Sequence, residues 1–125
     1  MTPPAIPVVL VVHDDPAVLG SLGFALDVEG FAVCTFGSGA EVLALDHLPD
    51  PSCFVAHHPM PGMTGLDLLA RLRARGMSMP AVLITERPDV SLHERSASVG
   101  VSLIVEKALL DDALLEAVRA ALRPR

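Results

Sequence analysis

A fivefold alternation limits what this chain can become: short apolar runs recur along the sequence, and each is followed by a segment with helical spacing. The first run, Val8 to Val12, is unbroken and β-branched, which fits a strand buried on both faces. Asp15 then stands where a helix cap is needed, and Pro16 suits the first helical position. Leu19, Leu22, Leu26 and Glu29 follow at helical spacing, and Gly30 supplies a stop. Phe31 to Thr35 reads as a second strand. Ser38 and Glu41 form a capping box for a helix running to about Leu45. Cys53 to Ala56 is a third strand, and Leu66, Leu69 and Leu72 mark a third helix that stops at Gly76. Pro80 to Thr85 is a fourth strand, Pro88 to Val99 a less apolar helix, and Val101 to Val105 a fifth strand. The last helix begins near Asp111, with Leu114, Leu115 and Val118 turned inward.

Strands that alternate with helices imply an α/β fold, a parallel sheet covered on both faces. The chain has 125 residues, enough for one domain, with a core from about residue 6 to 122 and loose ends at 1–5 and 123–125. In such sheets function gathers beyond the carboxyl ends of the strands. The residues there are His13, Asp14 and Asp15, then His57 and His58, then Thr85 and Glu86, and finally Lys107.

From Val8 to about Leu122 the chain resembles a response-regulator receiver domain of two-component signalling, CheY-like and close to the FixJ type. The resemblance rests on several stretches in register. "VVHDDP" resembles the acidic turn after strand one. "HHPMPGMTG" resembles the acceptor loop, with Met60, Pro61, Met63 and Gly65 in place. "AVLIT" ends on the family's hydroxyl residue, Thr85, and "IVEKA" carries its lysine, Lys107. The resemblance implies a flavodoxin-like (βα)5 fold, with five parallel strands in the order 2-1-3-4-5. In a working receiver an aspartate at the end of strand three accepts a phosphoryl group. Two acids after strand one hold Mg²⁺, and the Thr and Lys side chains bind the phosphoryl oxygens.

Several positions depart from that pattern. His57 stands at the acceptor position, four residues before Pro61, and His13 replaces the first metal-binding acid, leaving Asp14. No other acid ends strand three: Asp50 precedes it and Asp67 lies on the next helix. Glu86 occupies the position of a small residue and opposes an incoming anion. Ala108 follows Lys107 where the family has proline, so a trans bond is expected there. Ile104 takes the place of the aromatic switch residue.

These departures imply a degenerate pseudo-receiver that acts by phosphorylation-independent contact, with no enzymatic activity. Asp14 against Lys107 balances charge without a cation, and Mg²⁺ prefers oxygen ligands, so neither Mg²⁺ nor any other cofactor is expected. His57 is expected to fill the emptied pocket, hydrogen-bonded to Asp14, Thr85 or Lys107. Alternative readings are a Zn²⁺ or Cu²⁺ site from His13, His57 and Asp14, with His58 nearby, or a pH response through His13 and His57. Expected partners are a sensor histidine kinase, another response regulator, or a second copy through the face of helix four, strand five and helix five. That face presents His93, Glu94 and Arg95 as a polar rim.

Composition excludes some classes. Net charge is −6, the pI is near 5.2, and the basic residues form no cluster, which argues against nucleic-acid binding. The longest apolar run is too short to span a bilayer, and "MTPPAIP" lacks the marks of a secretory signal. A cytoplasmic protein with no membrane contact is expected, with Cys34 and Cys53 reduced and buried. A flavodoxin-type cofactor site is opposed by the acidic loop "HDDPAVLG". A small metal-dependent enzyme is opposed by the lack of a nucleophile–base pair.

Overall fold

A computed structural model describes residues 6–46, 51–58, 62–86, 90–106 and 110–122. In chain order the elements are β1 (Val8–Val12), α1 (Pro16–Val28), β2 (Ala32–Phe36), α2 (Gly39–Leu43), β3 (Cys53–His58), α3 (Gly65–Ala74), β4 (Ala81–Thr85), α4 (Val90–Ser98), β5 (Val101–Glu106) and α5 (Leu110–Leu122). The strands pair in parallel in the order β2-β1-β3-β4-β5. The parallel sheet is what the alternation implied, and the flavodoxin-like strand order is what the family resemblance implied. β1, β3 and β4 are interior strands with almost every residue buried, which is why they read as continuous apolar runs.

Strand side chains alternate between the two faces. Leu10, Val12, Phe54, Ala56, Ala81 and Leu83 pack against Leu68, Leu69 and Leu72 of α3 and Leu92 of α4. Val9, Val11, Val55, Val82 and Ile84 pack against Leu22 and Leu26 of α1 and Leu114 and Val118 of α5. Burial of each such aliphatic side chain contributes roughly 1.5–3 kcal/mol.

Local chemistry sets the element ends. Asp15 accepts hydrogen bonds from the amides of Ala17 (2.9 Å) and Val18 (3.3 Å), and Pro16 opens α1 as its spacing predicts. Gly30 and Gly76 stop α1 and α3 with φ of 94° and 90°, values that side chains disfavour. Several boundaries differ from the sequence reading. β2 starts at Ala32, because the Phe31 amide still bonds to Leu26 O (3.2 Å) in the helix stop while Ala32 bonds to Pro7 O (3.0 Å). α2 ends at Leu43, because the Leu45 amide turns back tightly to Val42 O (3.2 Å). Ser38 caps α2, but the Glu41 carboxylate bonds to the Gly37 amide rather than to Ser38, so the expected reciprocal box is shifted by one residue. β3 runs on through His57 and His58, which pair with Ile84 and Thr85 of β4. β4 starts at Ala81, after a proline whose carbonyl accepts from Phe54 (2.9 Å). α3 begins at Gly65 and α5 at Leu110. β5 continues to Glu106 with a register shift near its start, so that Ala81 faces Val101 and Val82 faces Leu103. The expectations about Pro88, Met60, Pro61 and the chain ends lie outside the described residues.

Candidate functional site

The carboxyl ends of β1, β3 and β4 lie side by side in the sheet, and the side chains leaving them form a small polar cluster. His13 follows β1 directly, with its amide bonded to Phe36 O (3.1 Å), and its ring is 1% exposed. The Asp15 amide donates to His13 Nδ1 at 3.0 Å, which makes Nδ1 an acceptor and leaves the proton of the neutral ring on Nε2. His57 Nδ1 lies 2.8 Å from Asp14 Oδ1, and His13 Nδ1 lies 3.5 Å from the same oxygen. The two imidazoles stack, with centroids 4.2 Å apart and planes 6° from parallel. Thus His57 fills its position and bonds to Asp14, one of the partners expected for it.

Burial pushes the Asp14 carboxyl up. The hydrogen bond from His57, a bond to its own backbone amide and the electrostatic influence of the neighbouring His57 and His13 outweigh that and hold it below the ordinary carboxylate value. An ionised Asp14 accepts, so the His57 Nδ1–H donates to it. His57 Nε2 is sealed from solvent and has no hydrogen-bond partner among the described residues.

Backbone approach holds this cluster in place. Thr64 caps α3 by accepting from the Asp67 amide (3.0 Å), and Asp67 returns a bond to the Thr64 amide (3.4 Å). The cap brings Gly65 so close to β3 that a Cβ there would sit 2.5 Å from His57 O and 3.0 Å from Ala56 Cβ. The spacing T-x-x-D in front of an apolar helix carried the cap signal, and it went unread in the sequence.

The other strand-end residues are distributed unevenly. Thr85 is buried on β4 opposite His58, while Glu86 is exposed. His58 is buried on β3, one residue beyond His57, and stands outside the His13, Asp14 and His57 group. Ile104 is half-buried on β5 and packs against the α3–α4 side of the core. Lys107 and Ala108 lie outside the described residues, so the expected pairing of Asp14 with Lys107 does too. Cys53 is buried and its thiol is pushed up to about 12 by that burial, which makes it inert. Cys34 is only half-buried, contrary to expectation, because β2 is an edge strand with one neighbour.

Metal fit follows from the donors. His13, Asp14 and His57 offer atoms within 4.8 Å of one another. Two imidazoles and one carboxylate do not suit Mg²⁺, which requires near-octahedral oxygen ligation. The set suits Zn²⁺ or Cu²⁺ in kind. However, stacked rings direct their in-plane lone pairs along parallel lines, so one ring must turn before both can reach a common ion.

Comparison with known proteins places this geometry. Residues 9–119 match the response regulator receiver domain. The chain is 39% identical over 112 residues to the transcriptional regulatory protein FixJ of Azorhizobium caulinodans, covering 90% of this chain and 53% of that protein. It is 35% identical over 117 residues to FixJ of Bradyrhizobium diazoefficiens, covering 92% of this chain and 56% of that one. The chain therefore spans about half the length of these curated relatives. Its structure is similar to that of FixJ-N, with a TM-score of 0.81, 31% identity and 94% of each chain covered. The chemotaxis protein CheY4 of Vibrio cholerae superposes with a TM-score of 0.88 at 22% identity, covering 94% of this chain and all of that one, and shares the fold.

Proposed function

Since this chain belongs to the response regulator receiver domain family, we propose that it is an atypical member, a pseudo-receiver that signals through protein contact without phosphorylation. The bond between His57 and Asp14 carries this reading. An imidazole at the end of β3 offers no carboxylate oxygen for an acyl phosphate, and it engages the acid that would otherwise help hold a cation. The half-buried aliphatic Ile104 supports the same conclusion, because it cannot serve as an aromatic switch. The domain has no catalytic activity of its own and takes no Mg²⁺.

Its partner is a sensor histidine kinase or another response regulator in a cytoplasmic two-component or phosphorelay system. The face of α4, β5 and α5 suits such a partner. Val90 is 73% and Leu103 39% exposed there, among exposed His93, Glu94 and Arg95, which gives apolar contacts within a polar rim. Among the described residues no helix is long and apolar enough to cross a membrane.

The test is incubation with a small phosphodonor and Mg²⁺, followed by intact-mass measurement. The expected result is an unchanged mass; a gain of one phosphoryl group overturns the proposal. The second reading is a Zn²⁺ or Cu²⁺ site, favoured by the proximity of the three donors and opposed by the parallel rings. Calorimetric titration with Zn²⁺ that gives no heat above buffer removes it.

A further inference from the structure

α4 carries an undersized residue on its inward side. Leu92 and Ser96, one turn apart, are the buried residues of this helix, each 3% exposed. Leu92 joins the core, whereas Ser96 offers only a hydroxymethyl group to the space beside β5. Its Oγ is closed to solvent and has no hydrogen-bond partner among the described residues. Across from it, β5 is irregular. Ala81 pairs with Val101 and Val82 with Leu103, so Ser102 is an extra residue, a bulge that bends the strand. Between the two irregularities lies a cavity of about 360 Å³, lined by His93, Ser96 and Ser102 and by the aliphatic Val101, Leu103 and Ile104. That volume falls in the usual range for small-molecule sites.

We propose that this cavity binds a small neutral phenol, an apolar ring bearing a hydroxyl group. Its lining holds no Asp, Glu, Lys or Arg, so a charged ligand finds no opposite charge there. A net charge of −6 further disfavours an anion. The aliphatic lining takes the apolar body, and a rigid ring gives contact area without rotatable bonds to freeze. Ser96 sets the polar end. A buried hydroxyl without a partner is costly, and a phenol oxygen relieves that cost by hydrogen bonding. Turning the serine hydroxyl from the wall toward the ligand needs rotation about one bond, χ1. His93 is exposed and lines the same cavity, where its imidazole can stack on the ring. His93 and Leu103 also belong to the face proposed above for a protein partner, so an occupied cavity changes that face. This coupling rests on that partner; binding of the phenol does not.

Titration with p-cresol and with toluene, followed by proton–nitrogen correlation NMR, tests this on the wild type, Ser96→Ala and Ala97→Trp. In the wild type, p-cresol is expected to give saturable shifts at the amides of residues 93–97 and 101–104. Toluene, which lacks the hydroxyl, should bind about tenfold more weakly. Ser96→Ala removes the preference, so the two probes bind alike. Ala97→Trp, a change at an exposed lining position, fills the cavity and abolishes both. Absence of saturable shifts up to the solubility limit of p-cresol overturns the proposal. Shifts centred elsewhere, equal binding of the two probes by the wild type, or a preference kept in a folded Ser96→Ala overturn it as well. If Ser96→Ala fails to fold, the wild-type comparison and Ala97→Trp decide. The phosphodonor experiment reads the ends of β1 and β3 instead, so each reading can fail without the other.

Discussion

His57 is held by one short bond to Asp14, one stacked ring and one close backbone approach. Each of these can be tested separately. Because the Asp14 carboxyl is held below its ordinary value, its contribution to stability is complete above about pH 4 and is lost as pH falls through the lowered value. Asp14→Asn should therefore flatten the acid limb of a stability–pH curve measured by urea unfolding. At neutral pH it should cost on the order of 1 kcal/mol, because the partly exposed carboxylate is screened by water. Gly65→Ala forces a methyl against His57 O, and a loss of about 1–3 kcal/mol is expected on thermal melting. The double variant His13→Asp, His57→Asp restores an oxygen donor set. It should bind Mg²⁺ and gain a phosphoryl group from a small phosphodonor where the wild type does not, read by calorimetry and intact mass. The positions of these residues were legible in the sequence, since they follow apolar runs at strand spacing. The stacking of His13 on His57 was not legible, because it depends on the register of β1 against β3, which no local pattern specifies.

Among the elements, the interior strands were the easiest to read and the edges the hardest. β4 is buried throughout and β1 in all but Val8, so sequence and structure agree to within a residue. β2 and α2 are short and partly exposed, and capping bonds rather than apolar pattern decide their ends. One link between elements left no sequence trace. Arg73 on α3 donates from Nε to Val99 O (2.9 Å), from Nη1 to Met77 O (3.1 Å) and from Nη2 to Gly100 O (3.2 Å). It thereby ties the end of α3 to the turn between α4 and β5, and partial burial lowers its pKa without neutralising it. Arg73→Ala orphans three carbonyls and should cost about 2 kcal/mol. Hydrogen exchange should quicken in α4 and β5 and remain unchanged in β1. Arg73→Lys should rescue little, since an ammonium cannot match the planar fork.

For the whole molecule, the parallel sheet was legible because strands alternate with helices, whereas the strand order came from the family resemblance. Each face of the sheet has its own core cluster, so Leu72→Ala on one side should cost about 2–5 kcal/mol in chemical denaturation. It should leave packing at Leu26 on the other side unaltered, as read by side-chain NMR. The helical spacing of Leu22 and Leu26 showed the inward side of α1, but the exposure of Phe24 and Val28 was not legible, because outward apolar residues are interleaved with them; burial separates the two sets.

The imidazole stack also couples positions 13 and 57. Placing aspartate at position 57 alone sets a second carboxylate beside Asp14, and placing it at position 13 alone does so in a site closed to solvent. Either single change adds negative charge next to Asp14 before both oxygen donors are present to recruit a cation. The two positions thus respond together: a carboxylate at either one is best tolerated when the other changes with it.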